Sequence, residues 1–520
     1  MIRLKSYLCG EWRDGDGEGT PLFDPTSGEV IATASTAGLD FRAACEYART
    51  VGGPALRAMS FAERGQMLKA LSVALHEARE DFIEVSRVSG GTTRKDAKFD
   101  IDGASGTLGA YAHFAKGLGD QRVLIDGEGE QLMRSARFYG YHVKTARRGV
   151  AVHINAFNFP AWGLAEKAAA ALLAGMPVIS KPATSTALLA FRVMEKLVDS
   201  GVLPPGALQF VAGSPGDLLD HLDVQDVLAF TGSADTAAKL RKTKAVLELS
   251  VPLNVEADSL NATVLGPDVD SDGDLYNTFL KHVVLEMTQK AGQKCTATRR
   301  IFVPRAKIDE VEQELRDALA AVRVGDPGRD DVTMGPLATR QQLEDARNGV
   351  RTLVEAGARV VFGSVDDVEL LGADGGRGFF FGPMLLRADA PSSAKAVHAL
   401  EVFGPVATLM PYDSIEEAVD LVARGGGGLV CSAYSDDKDA IEALVLGLAP
   451  YHGRVLLGGS KVADQMIHPG MALPNCLHGG PGRAGGGEEL GGLRGLDLYL
   501  QRTSVQGDRG VLERVFGLRA

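Results

Sequence analysis

From Gly149 onward, short apolar runs alternate with segments of helical period. The strand-like runs are GVAVHI, PVISK, ALQFVAG and DVLAFTG; the helix-like ones are an Ala-rich stretch up to Gly175, then Ser185 to Ser200, Gly216 to Leu222 and ADTAAKLRKT. Apolar runs that are this short and continuous suit strands buried on both faces, with the intervening helices as crossovers. The predicted class is therefore α/β, a parallel sheet with ligands bound at the carboxyl ends of its strands. A second series follows Glu256. ATVLG, RRIFVP, RVVFG, PVATLMPY and GLVCSAY read as strands, and Asp274 to Thr288, Lys307 to Ala321 and IEEAVDLVAR as helices, which predicts a second parallel-rich domain. RFYGYHVKTARRGV and LRGLDLYLQRTSVQ fall outside both series and alternate in a strand-like way, as exposed ribbons do when they pair with another subunit.

Composition narrows the function classes. The chain has 520 residues, more than one hydrophobic core usually holds, and 45% of them are hydrophobic and 23% charged, as in ordinary globular proteins. The formal net charge of −12 gives no electrostatic reason to expect nucleic acid or an anionic membrane as partner. Its most apolar long stretch, Ala161 to Ile179, is broken by Glu166, Lys167, Gly175 and Pro177, so no membrane span is expected. Five scattered cysteines without a CxxC or Cys/His cluster argue against structural zinc and a disulfide framework. With no secretory pattern in MIRLKSYLCGEWRDG, a cytoplasmic protein is expected.

Several residues could carry chemistry. Cys295, in KAGQKCTATRR, would be a potent nucleophile if its surroundings lowered the thiol pKa, although a free cysteine read alone also suits a core position. Glu256 ends an apolar strand-like run and could activate water; a solvated turn glutamate is the plainer reading. Asn158 lies two residues before Pro160 in a loop, where its amide could donate to an oxyanion or simply serve the turn. His153 and His478 have no partner at metal-ligand spacing, so both read as core or surface histidines and no metal is expected. Met334 and Phe379 to Phe381 read as packing residues.

Taken together, FNFPAW, VISKPA, FTGS, VEADSLN, GQKCT and EVFGPV, in that order, resemble the aldehyde dehydrogenase superfamily. CGEW and FDPTSGEVIATAS near the start, with VGDP and MGPL at Val324 to Leu337, extend the resemblance over nearly the whole chain. The family likeness implies a Rossmann-type cofactor domain (1–124 and 149–255), a second α/β catalytic domain (256–484) and β-ribbon oligomerisation segments (125–148 and 485–520). It also implies Cys295 as nucleophile, Glu256 as general base, and Asn158 with the Cys295 backbone N–H as oxyanion hole. Cofactor contacts would come from Glu401 and Phe403 at the nicotinamide end, Lys181 with Thr184 and Ser185 at the adenosine ribose, and Lys167 close by. Gly232 and Ser233 would open a helix facing the pyrophosphate.

EADSLN together with HGGPGRAGGGEELGG and YLQRTSVQG is similar to the aldehyde dehydrogenases of aerobic coenzyme A thioester ring-cleavage pathways. That likeness implies oxidation of a coenzyme A-linked semialdehyde, 3,4-dehydroadipyl-CoA semialdehyde of benzoyl-CoA degradation, by a homodimer. A neutral Thr184, where NAD-preferring relatives often carry glutamate, implies NADP, with NAD weaker. A general medium-chain aldehyde dehydrogenase and a catalytically silent binding protein on the same fold are the alternatives; Glu256 speaks against an acylating enzyme. Two departures stand out. Glu256 is followed by Ala257 and Asp258 where most relatives have leucine and two glycines, and Ala237 replaces a second glycine after FTGS, with no GxGxxG fingerprint there.

Overall fold

The structure, a computed structural model, describes residues 1–518; residues 519 and 520, the end of the 485–520 segment, lie outside the described residues. Two seven-stranded sheets form its frame. In the first, Leu253–Glu256, Val227–Thr231, Ala151–Ile154, Val178–Lys181 and Leu208–Phe210 lie side by side and parallel. The N-terminal strands Ser6–Leu8 and Glu11–Arg13 add antiparallel partners at one edge.

The period-two geometry of a strand explains why these runs are apolar throughout. Along Val178–Lys181, Val178 joins the cluster under the helices Phe61–Glu77, Arg94–Lys116, Trp162–Ala174 and Ala187–Asp199, while Ile179 points into the opposite cluster with Phe41, Leu218 and Leu240. Both faces are covered, so neither can be polar. The helices between Phe61 and Lys116 form much of that first layer and precede the alternating series that predicts the sheet. Gly216 to Leu222 is shorter than expected: only Leu218–His221 is helical, as a 3-10 turn after Pro215 and the left-handed Gly216 (φ 50°).

The second sheet runs Arg359–Phe362, Met384–Arg387, Val406–Tyr412, Arg300–Pro304, Ala262–Leu265, Gly428–Tyr434 and His452–Gly458, parallel except at its Arg359–Phe362 edge. Phe302 faces one core with Phe379, Phe380, Phe381 and Met334, while Ile301 and Val303 face the other. Asp274 to Thr288 is helical over that whole span, as expected.

The two segments outside the series pair with each other. Phe138–Ala146 runs antiparallel to Leu500–Asp508, from Phe138 opposite Asp508 to Ala146 opposite Leu500. The expected strand start is corrected: Gly492–Tyr499 is a 3-10 helix whose Leu496 and Tyr499 are buried, and extended backbone begins only at Leu500. Leu500–Asp508 is the mostly exposed outer strand of this ribbon. No helix of the described residues is long and apolar enough to cross a membrane.

Candidate active site

Strand order reverses between Ala151–Ile154 and Val227–Thr231: the chain continues from the former to Val178–Lys181 on one side and returns to the latter on the other. Crevices at the carboxyl ends of strands flanking such a switch are where open α/β sheets bind ligands. The loop 155–161 leaves the first of these strands, Gly232 follows the second, and Glu256 ends the next. Cys295 arrives from the other sheet. After the helix Asp274–Thr288 the chain takes three successive left-handed residues, Lys290 (φ 55°), Ala291 (φ 51°) and Gly292 (φ 67°). A side chain at Gly292 would lie 2.3 Å from the Gly404 carbonyl, so glycine alone fits this approach. Asn158 Nδ2 donates to the Gln293 carbonyl at 3.1 Å and ties the two loops together. Cys295, Glu256 and Asn158 all line one cavity of about 50 Å³, space for a few water-sized groups.

The same pocket corrects the reading of His478. It is neither a surface nor a plain core histidine: Nε2 lies 3.3 Å from Glu256 Oε2 and 3.9 Å from Cys295 Sγ. The donor atoms of Glu256, Cys295 and His478 lie within 4.8 Å of one another, a clustering that the spacing along the chain does not reveal. His153, by contrast, is a buried core histidine whose Nε2 meets the Tyr499 hydroxyl at 3.1 Å.

Three further charged groups lie against Glu256. Lys167 Nζ pairs with Glu489 Oε2 at 2.9 Å and donates to Thr231 Oγ1 at 2.7 Å, and Glu166 lines the cavity. Burial alone would raise the Glu256 carboxyl, but His478, Lys167 and a hydrogen bond from the Cys295 thiol outweigh it and bring it down to about 2. The effect on Cys295 is the reverse. Burial and the Glu256 carboxylate hold its thiol well above its ordinary value. Burial and Glu489 likewise push Glu166 well up. Glu489 comes from Glu488–Leu490, so the 485–520 segment serves this pocket as well as the ribbon.

A scan against family models finds "Aldehyde dehydrogenase family" over residues 12–505. The 3,4-dehydroadipyl-CoA semialdehyde dehydrogenase of Aromatoleum evansii is 44% identical over 480 residues, 92% of this chain and 93% of that protein. Protein MaoC of Klebsiella aerogenes is 43% identical over 183 residues, 35% of this chain and 52% of that one. Among solved structures, the NAD+ complex of aldehyde dehydrogenase from Bacillus cereus superposes with a TM-score of 0.84 at 23% identity, covering 98% of this chain and 97% of that one. The chain belongs to the aldehyde dehydrogenase family.

As an aldehyde dehydrogenase it is an oxidoreductase, and its departures from the common family pattern have structural reasons. Asp258 Oδ1 accepts from the Ala234 N–H at 2.9 Å, and Ser233 Oγ from the Thr236 N–H at 3.3 Å. Thus the Ala234 and Thr236 amides of the short helix Ala234–Leu240 that follows Gly232 and Ser233 already have acceptors within this aldehyde dehydrogenase. Ser259 N donates to Glu401 Oε2 at 2.9 Å, and Asn261 Nδ2 holds the Cys295 carbonyl at 2.7 Å. The EADSLN variant is therefore a bracket that joins the strand ending at Glu256, the Glu401 loop and the Cys295 loop. Glycines after His478 serve the same contact from below: the Gly487 N–H donates to the Val255 carbonyl at 3.0 Å, where a side chain at Gly485 would come within 2.3 Å.

Of the residues expected at the cofactor, Lys181 is buried and Thr184, Ser185, Glu401 and Phe403 are half-buried. Burial raises the Glu401 carboxyl to about 7 despite the Arg299 guanidinium 3.4 Å away, and Phe403 packs edge-on to Phe157 with ring centroids 5.7 Å apart. Lys181 ends its strand, and Thr184 and Ser185 open the turn that follows, half-buried. Burial lowers the Lys181 ammonium to about 8, and among the described residues no carboxylate pairs with it. A buried cation of this kind fits an anionic ligand. Lys167 belongs with Glu489 beneath Glu256, within the cavity of Cys295.

Proposed function

We propose that this aldehyde dehydrogenase is hydrolytic and NADP-dependent and oxidises the aldehyde end of a coenzyme A-linked semialdehyde, 3,4-dehydroadipyl-CoA semialdehyde, to the carboxylic acid in aromatic-compound degradation. The observation that carries the chemistry is that Cys295, Glu256 and Asn158 line one small cavity. Cys295 Sγ attacks the carbonyl carbon, and the charge that develops on oxygen is stabilised by the Asn158 amide and the Cys295 backbone N–H, donors worth about 3 kcal/mol each. When bound, the nicotinamide supplies the acceptor for the hydride that leaves the thiohemiacetal carbon. The resulting thioester on Cys295 is cleaved by water whose proton passes to the Glu256 carboxylate, and the acid departs. Glu256 is held ionised, the form this step requires. Glu401, Phe403, Lys181, Thr184 and Ser185, with Gly232 and Ser233, would hold the cofactor.

The cavity of about 50 Å³ is far too small for a coenzyme A carrier, which would stay outside it. Binding energy from such a remote carrier can orient the carbonyl at Cys295. The 44% identical relative is named for that substrate. Comparing kcat/KM for the coenzyme A-linked semialdehyde with a free aldehyde of equal chain length tests it: a value at least about tenfold higher for the former is expected. Equal values would move the assignment to a general medium-chain aldehyde dehydrogenase.

The same reading makes the protein a cytoplasmic homodimer, with 1–124 and 149–255 holding the cofactor, 256–484 carrying the nucleophile, and 125–148 with 485–520 in assembly. The five cysteines are free, which suits a reducing compartment, and the exposed edge of Leu500–Asp508 offers a pairing surface. Light scattering at micromolar concentration should give twice the chain mass; a monomer would refute the dimer.

A further inference from the structure

His478 has no part in the chemistry above, yet it touches both of its reacting groups. The residue is buried in the strand Leu477–Gly479, directly opposite Glu489 of the antiparallel neighbour Glu488–Leu490, so a regular hairpin fixes its position. Nε2 is the atom turned to the site, 3.9 Å from Cys295 Sγ and 3.3 Å from Glu256 Oε2. Nδ1 is buried and has no hydrogen-bond partner among the described residues.

The remaining groups make the need for another base plain. Transfer of the Cys295 proton to Glu256 would discharge the carboxylate that the later attack of water requires, and His478 Nε2, 3.9 Å from Sγ, is a second acceptor in reach. An imidazole, which ordinarily titrates near neutrality, is the better-matched acceptor. The other charged groups nearby have partners: Lys167 is paired with Glu489, and on the neighbouring strand the Arg454 guanidinium donates to the Pro469 and Met471 carbonyls. Glu166 also lines the cavity.

We propose that His478 is the base that takes the Cys295 proton for acylation, leaving the Glu256 carboxylate free for the later attack of water. The S–H bond breaks with its electron pair kept on sulfur, and an Nε2–H bond forms. Nε2 lies 3.3 Å from Glu256 Oε2, so the imidazolium gains an ionic partner as it appears. The three side chains carry one net negative charge before and after the transfer. Sulfur then bonds to the carbonyl carbon, and the imidazolium proton passes to solvent at the pocket mouth once the thioester has formed. His478 thus serves the first half of the cycle and Glu256 the second.

The inference rests on the proposed aldehyde oxidation through Cys295, and its test separates the two. Cys295 alkylation by iodoacetamide, read by mass spectrometry across the pH range, and the single-turnover burst of reduced cofactor are measured in wild type, His478→Phe, His478→Gln and Glu256→Gln. Both His478 variants should slow alkylation at neutral pH and the burst about 100-fold. Gln can keep a hydrogen bond to Glu256 but cannot titrate, so its matching loss separates proton transfer from positioning. Glu256→Gln should keep the burst and lose steady-state turnover. A normal burst in both His478 variants, or a burst lost only in Glu256→Gln, overturns the assignment; no burst in wild type overturns the oxidation reading instead. Histidine ¹⁵N shifts of the wild-type enzyme give a measurement independent of variant folding. The His478 signal should change its protonation profile when Cys295 is alkylated, and an unchanged profile counts against the proposal.

Discussion

The Cys295 cavity and the Lys181 turn both lie at the carboxyl ends of strands in one sheet, and they handle buried charge in opposite ways. Around Cys295 charges are answered from within the chain: beside Glu256, Lys167 by Glu489, and, one layer out, Glu286 by Lys294 at 2.6 Å and His468 at 2.6 Å. Lys181 has no such answer, and burial drives its ammonium down to about 8. The first arrangement sets protonation states before any ligand arrives, as a reacting centre requires. The second leaves a charge for a ligand to complete.

The comparison breaks most sharply at the nucleophile. Cys295→Ala should lower turnover by about four orders of magnitude or more, since no other thiol lines the cavity. Cofactor binding, measured by fluorescence titration, should persist, because Lys181 and its turn do not depend on Cys295. Unchanged steady-state oxidation would exclude Cys295 as nucleophile. Glu256→Gln comes next. Steady-state turnover should fall by about 100-fold or more while the first-turnover burst survives, and rapid-mixing absorbance separates the two. Loss of the burst would assign Glu256 to activation of Cys295.

The outer layer of the self-compensated region is a matter of stability. Lys294 and Glu286 are fully buried, and Glu286 also accepts from the Gly470 N–H at 2.9 Å, which fixes the loop that lines the cavity at Gly470 and Ala472. Lys294→Met leaves that carboxylate without its cation and should cost about 3–5 kcal/mol in urea unfolding. Burial would raise Glu286, but Lys294 and His468 bring it down to about 2. A carboxyl depressed in this way stabilises the fold above its unfolded pKa of about 4.3. That contribution fades as pH falls toward about 2. In Lys294→Met the acid dependence between those limits should flatten.

How much of this was legible in the sequence follows the same division. The parallel sheets could be read because buried strands leave unbroken apolar runs, and Asp274 to Thr288 because its helical period is long. The 3-10 helix Gly492–Tyr499 could not, since Leu496, Leu498 and Leu500 alternate as in a strand, whereas the residues it buries, Leu496 and Tyr499, lie one 3-10 turn apart. Cys295, Glu256 and Asn158 carried motifs. His478 carried none: it lies 183 residues from Cys295 in a glycine-rich stretch, and only the hairpin with Glu489 turns it toward the cavity. A signal did exist for Asn261, because EADSLN was visibly a variant. Its meaning, an amide holding the Cys295 carbonyl, needed the second sheet in place.

The smallest expected effect concerns the incomplete region. Lys181 bears the only titration near neutrality expected at the adenosine end, so its charge should decide between NADP and NAD. In the free enzyme the ammonium deprotonates as pH rises through about 8. A 2′-phosphate favours the charged form, which must raise that pKa on binding, so NADP affinity should weaken as pH passes from about 7 to about 9. NAD lacks the phosphate and should change little over the same range. Lys181→Met removes one charge-assisted contact, about 1.5 kcal/mol, and should cut the NADP-over-NAD ratio of kcat/KM about tenfold. Installing the acid, Thr184→Glu, adds repulsion toward the phosphate and should shift the ratio the same way with the ammonium intact. If the ratio is unmoved by both substitutions and by pH, the partner of Lys181 is not the 2′-phosphate, and the NADP assignment fails with it.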